Sequence, residues 1–351
     1  MRLLPALVLG LLSLASAEET RLNQIQAIGS HNSYHVAPPK ELLETITKFN
    51  KSAAAWDYTH PPLPEQLDMG IRQFELDIFA DTKGGLFSKP SMLGVARMAG
   101  AKDLTFDPEG KLANPGFKVL HVPDIDCWSN APTLKGALED MKAWSDKHPG
   151  HLPVMILLEC KDQPQPPLPT KPEKLTRELL MDLEEEILTA IPKDRILRPD
   201  DVRGDSESLR EAVLRKGWPT LESLRGKFLF CLDNTDAIRA RYLEGNPTLE
   251  DRLIFVSAPQ DEHPAAAWFK CNDPEREQDR IRKLVQQGFL VRTRSDTNKP
   301  DDKMRKAAFE SGAQWVSSDL FRPDHKDRVS FGGKTTRANP VSGDAKMKIE
   351  P

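Results

Sequence analysis

The residues best suited to chemistry in this chain fall at the ends of short apolar runs. "IGSHNSYH" (28–35) places His31 and Asn32 directly after such a run, and "IRQFELDIF" (71–79) carries Glu75 and Asp77 two positions apart. A period of two aims both carboxylates to one side of a strand. His121 closes "FKVLHV", Glu159 closes "PVMILLE" with Lys161 two residues on, and Arg292 and Arg294 end "FLVRTR". Phe74, Leu76 and Ile78 flank the acids of the second run, and "VMILL" precedes Glu159, so these carboxylates are expected to be buried and to need cations or donors. Asn32, Glu75, Asp77 and Glu159 offer only oxygen, which suits calcium better than zinc. His31 and His121 are then free for proton transfer, one taking a proton from a nucleophile and the other giving one to a leaving oxygen. A metal beside two such histidines can hold a phosphate oxygen and acidify a substrate hydroxyl, which is phosphodiester-cleavage chemistry.

Each element alone has a plainer meaning. A histidine in a turn is usually only solvated, and Arg292 and Arg294 could merely neutralise nearby acids. "LEEE" (183–186) reads as a solvated helix face, and His35 reads as a loop residue. The shared position at the ends of successive runs lifts the set above those readings.

Eight β-rich runs can position these residues: 25–30, 71–79, 117–122, 153–159, 226–232, 252–257, 289–294 and 313–318. Helices are expected over 133–148, 172–190, 205–216, 273–287 and 301–311, with Asp273-Pro274 as a start signal and Gly288 and Gly312 as stops. Eight buried strands alternating with helices predict a single-domain α/β protein, a (β/α)₈ TIM-type barrel whose chemistry gathers at the carboxyl ends of the strands. The weakly patterned stretch from 30 to 70 predicts an irregular first unit, and "QPQPPLPTKP" (163–172) a stiff loop. The barrel domain is placed at 18–325, followed by a tail, 326–351, without strong pattern. Leu86, Phe87, Met92, Leu93, Val95 and Met98, in the loop 84–100 after the second run, are expected to form either a lipid-dipping ridge or a cap over the barrel.

Residues 1–17, MRLLPALVLGLLSLASA, have one positive charge, a short apolar run and an Ala15, Ser16, Ala17 ending, the pattern of a cleaved export signal. The expected location is therefore secreted or periplasmic. Losing Arg2 with that segment would take the formal charge from −4 to −5, and with no basic stripe this argues against nucleic acid as a partner. Cys127, Cys160, Cys231 and Cys271 have no zinc-like spacing; export permits disulfides, and the sequence does not choose among pairings. Nothing calls for an obligate protein partner.

The chain resembles the secreted calcium-dependent phosphatidylinositol-specific phospholipase C family, within the barrel phosphodiesterases. The likeness runs from "IQAIGSHNSYH" through "IRQFELDIF", "GFKVLHVPDID", "HLPVMILLECKD", "GKFLFCLDN", "FKCNDP", "GFLVRTRSDT" and "SGAQWVSSD" to "RANPV". It implies His31 and His121 as the catalytic pair and Asn32, Glu75, Asp77 and Glu159 as Ca²⁺ ligands; Lys161 and Arg292 are expected, from their own charge and position, to give the site positive charge for one phosphodiester. The implied activity is cleavage of phosphatidylinositol-like lipids, met peripherally at a membrane surface, to diacylglycerol and a cyclic inositol phosphate. Eukaryotic relatives carry lysines in the fifth strand, where this chain has Cys231 and Asp233, a departure that disfavours polyphosphorylated head groups. The competing expectations are a glycerophosphodiesterase, whose first motif usually reads His-Arg, and a non-catalytic barrel that binds calcium or inositol lipid.

Overall fold

A computed structural model describes residues 19–102, 104–344 and 349; the expected export signal lies outside the described residues. Eight parallel strands form the barrel: β1 (Ile25–Ser30), β2 (Gln73–Phe79), β4 (Val154–Cys160), β5 (Phe228–Leu232), β6 (Ile254–Val256), β7 (Trp268–Lys270), β8 (Leu290–Arg294) and β9 (Trp315–Ser318). Two short strands lie outside it, β3 (Lys118–Val119) and β10 (Thr336–Ala338). The hydrogen-bonded order is β6-β5-β4-β2-β1-β9-β8-β7, and a parallel bridge between Ser257 and Trp268 brings the two ends together. The strands are buried almost throughout, as expected of parallel strands covered on both faces. At Gly29 a Cβ would come within 2.7 Å of the Gln73 Cβ, so glycine lets β1 run close against β2 just before His31.

The expected helices form at Leu134–Lys147, Arg177–Ala190, Leu209–Arg215, Pro274–Gln286 and Asp302–Ser311. Thr133, Thr176, Ser208, Asp273 and Asp301 cap their first turns, and Gly312, at φ +81, ends the last of them. The stretch 30–70 holds a helix, Lys40–Phe49, a 3₁₀ turn, Lys51–Trp56, and a second helix, Leu63–Asp68. The tail is partly ordered onto the barrel, where β10 pairs antiparallel with β1. Among the described residues no helix is long and apolar enough to cross a membrane.

Two expectations about the strands are corrected. The run 117–122 is not a barrel strand: only Lys118 and Val119 pair, antiparallel, with Phe79 and Ile78 of β2. The chain then turns back at once, closed by reciprocal backbone bonds between Val122 and Asp126 at 2.8 and 3.0 Å. Its place in the barrel count is taken by β7, only three residues long and preceded by a run of alanines in "PAAAWFK". The number of barrel strands is as expected, but their membership is not.

Candidate active site

The carboxylates converge as the strand register requires. Asp77 on β2 and Glu159 on β4 are direct partners, Glu75 lies two residues earlier on the same face of β2, and one oxygen from each falls within 4.8 Å of the others. Such crowding is costly without positive charge. Lys161 Nζ sits 2.5 Å from Asp77 Oδ2 and 3.8 Å from Glu159, while Arg292 bonds Glu75 directly and also donates to Asn272 and Ser317. Burial works against the charge of Asp77, yet Lys161 and His121 hold its carboxyl below the usual range. Enclosure, then the Asp77 charge, pushes Glu159 up to about 8, although its side chain stays 35% exposed toward the mouth.

Asp77 Oδ1 is buried and has no hydrogen-bond partner, so the cluster has unmet demand for a cation. Asn32 follows β1 at φ +43, a left-handed turn that asparagine tolerates; its amide nitrogen donates to the Tyr58 hydroxyl at 3.3 Å, so the amide oxygen is the atom it can offer a cation. Three carboxylates and an amide oxygen at one rim fit calcium.

Each expected histidine is paired with a carboxylate. His31 Nδ1 is 2.9 Å from Asp319 Oδ1, and its Nε2 lies 3.9 Å from Glu75 Oε1. Arg294 approaches Asp319 at 3.3 Å, and His60 donates from Nε2 to the His31 carbonyl at 3.0 Å. Burial opposes ionisation of Asp319, but His31, His60 and Arg294 hold it far below the usual carboxylate range. His121 Nδ1 lies 2.6 Å from Asp126 Oδ2, and Trp56 meets its ring edge to face at 5.9 Å between centroids.

The structure thus brings His31, Asn32, Glu75, Asp77, His121, Glu159 and Lys161 to one rim, with Arg292 behind Glu75 and only 1% exposed. Sequence reading missed Asp319, Asp126 and Lys270. Asp319 follows the last run in "WVSSD", where the end-of-strand rule points to it. Lys270 ends the overlooked β7 and reaches Asp233, beyond β5, at 2.5 Å. Asp126 carries no such signal, because it sits in the turn after β3.

Beside His121 a second apolar cluster joins Leu42, Leu43 and Ile46 of the helix Lys40–Phe49 to Phe79, Phe87, Leu120 and Trp128. Phe87 is buried, and Met92 and Leu93, on a short helix Met92–Met98, pack against the cluster, so these members of the 84–100 loop seal the barrel as a cap. Phe49 and Met98, at the ends of the two helices, are 88% and 83% exposed. All four cysteines are free and buried.

The family model described as "Phosphoinositide phospholipase C, Ca2+-dependent" matches residues 20–340. Among solved structures the fold is similar to the apo form of a calcium-dependent phosphoinositol-specific phospholipase C from a Gram-negative Pseudomonas sp., at 16% identity over 91% of this chain and 95% of that one, TM-score 0.57. It is likewise similar to a Ca²⁺-dependent phosphatidylinositol-specific phospholipase C from Streptomyces antibioticus, at 17% identity over 92% and 99%, TM-score 0.57. At these identities the two structures speak for the fold alone. A comparison with curated proteins finds no match.

Proposed function

The chain belongs to the calcium-dependent phosphoinositide phospholipase C family, and from that premise we propose how its residues divide the reaction. It is a Ca²⁺-dependent phosphodiesterase of the phospholipase C type, acting on phosphatidylinositol-like lipids. The observation that carries the assignment of roles is the pair of His–Asp dyads, His31–Asp319 and His121–Asp126, flanking the three-carboxylate cluster.

Glu75, Asp77, Glu159 and Asn32 would hold calcium, which when bound would acidify the attacking hydroxyl and offset charge on the phosphate oxygens. His31, whose Nε2 lies beside Glu75, is the base; His121, which backs onto Trp56 and the apolar cap where the diglyceride must depart, is the acid. An inositol hydroxyl oxygen bonds to phosphorus as its proton passes to His31 Nε2, with the Nδ1–H held by Asp319. The phosphorus–oxygen bond to the glyceride breaks as His121 Nε2–H gives up its proton, leaving diacylglycerol and a cyclic inositol phosphate. Lys161 meets the phosphate, and Arg292 adds positive charge from behind Glu75.

The lipid is met by peripheral contact, with Phe49 and Met98 dipping into the surface beside exposed Lys48, Lys51, Arg97 and Lys102. The composition of residues 1–17 supports an exported enzyme; amino-terminal sequencing of the exported product should begin near Glu18, and an intact Met1 would overturn this. Diacylglycerol release from phosphatidylinositol vesicles should outpace glycerol release from the deacylated head group. The reverse order would make the protein a head-group phosphodiesterase.

A further inference from the structure

His35, which reads as a loop residue in the sequence, is completely buried beside His121. Its Nδ1 is 3.0 Å from the Tyr58 carbonyl oxygen, its Nε2 is 2.9 Å from Asp126 Oδ1, and its ring stacks on Tyr58 at 4.1 Å. A carbonyl oxygen can only accept. Burial works to neutralise Asp126, but bonds from His121 and His35 hold it ionised, so it too accepts. The Nε2–H of His35 therefore donates to Asp126, while Nδ1 faces the Tyr58 carbonyl.

The other oxygen of Asp126 takes the bond from His121 Nδ1. The carboxylate is thus held between two histidines, in a turn braced by the reciprocal Val122–Asp126 bonds. Around the trio, the first charged neighbour of the Tyr34 hydroxyl is Asp77, the Tyr58 hydroxyl accepts from the Asn32 amide, Asp77 faces His121 from β2, and Lys161 approaches the His121 carbonyl at 3.5 Å.

We infer that His35 is a positioning residue: donating from Nε2, it fixes the carboxylate that holds the tautomer of His121 and aims the His121 Nε2–H at the leaving oxygen. The inference rests on the acid role given to His121 above. Without His35 one oxygen of Asp126 loses its donor, the carboxylate can rotate, and the leaving alkoxide is no longer met by a proton.

The test compares phosphatidylinositol with an inositol phosphodiester of a nitrophenol, whose leaving group needs no acid. His35→Leu, which removes the donor to Asp126, should lose about 100-fold on the lipid and less than about threefold on the aryl ester, the pattern also expected of His121→Ala. A merely structural role would lower both substrates alike. A selective loss in His121→Ala without one in His35→Leu would overturn the inference and leave the acid role standing. An unselective loss in His121→Ala would overturn the acid role and, with it, the inference. Should the buried substitution fail to fold, nitrogen NMR of histidine-labelled wild-type protein decides: His35 Nε2 should carry a proton hydrogen-bonded to Asp126, and an Nε2 without a proton would overturn the inference.

Discussion

Asp77 and Glu159 face each other across neighbouring parallel strands, and with Glu75 they bring three carboxylate oxygens within 4.8 Å of one another. This relationship sets the pH behaviour of calcium binding. Glu159, pushed up to about 8, carries a proton at neutral pH before the metal arrives. Calcium binding should therefore release a proton at pH ~7, and apparent affinity should climb as pH rises toward 8. Calorimetry in two buffers of different ionisation enthalpy reads this directly; the same heat in both would contradict it. The sign for folding is opposite. A carboxyl raised from 4.5 to about 8 costs the metal-free fold stability as pH rises through that window, so melting in chelator should occur at lower temperature at the alkaline end.

Removing one formal negative charge from the cluster should weaken calcium binding. Glu75→Gln or Asp77→Asn should raise the calcium needed for half-maximal turnover by at least roughly 10- to 100-fold, the loss typical of a removed outer-shell partner. An unchanged calcium requirement in both variants would take these residues out of the metal site.

The dyads call for opposite protonation states in their histidines. Turnover should be bell-shaped in pH, and His31→Ala, His121→Ala and Asp319→Asn should each lose about 10²- to 10⁴-fold with circular dichroism unchanged. Near-normal turnover in any one of them removes that residue from the mechanism.

The cap and the exposed tips should respond differently to polar substitution. Phe49→Ser together with Met98→Ser should impair activity on vesicles while sparing a soluble inositol phosphodiester. Phe87→Ser, in the buried cluster, should instead cost about 3–5 kcal/mol of stability, as large-to-small changes at buried aromatics do, and depress both activities. Equal losses on the two substrates in the double variant would sink the lipid-contact reading.

Head-group choice turns on Lys270 and Asp233. With the Lys270 ammonium 2.5 Å from Asp233 and Arg294 committed to Asp319, neither cation is free for a ring phosphate. Unsubstituted phosphatidylinositol should be cleaved faster than its 4,5-bisphosphate at equal surface concentration. Asp233→Asn should narrow the difference by releasing Lys270. Comparable rates in the unaltered enzyme would show that the pair does not discriminate.

What was legible in the sequence were residues whose neighbours in the chain reveal their burial. Glu75, Asp77 and Glu159 stand inside apolar runs, and their register across β2 and β4 follows from parallel pairing. His121 was found for a mistaken reason: it reaches the rim from a two-residue antiparallel strand, not from a barrel strand. Strand β7 was passed over because its three residues follow a run of alanines, whereas the equally short β6 lies within the longer β-rich run RLIFVS. The partners of the histidines were hidden differently. Asp319 is 288 residues from His31, so only closure of the barrel brings them together; Asp126 is five residues from His121, but it sits in a turn that no end-of-strand rule points to, and its bond to His35 spans 91 residues. A buried histidine that braces a carboxylate from a turn has no local signature to distinguish it from a solvated one.

The central claim, calcium-dependent cleavage through a cyclic phosphate with two histidines, is tested most directly by phosphorus NMR of phosphatidylinositol turnover with calcium and with excess chelator. The account predicts a cyclic inositol phosphodiester as the first product with calcium and no reaction in chelator. Phosphatidate as the product, or full turnover in chelator, would contradict it.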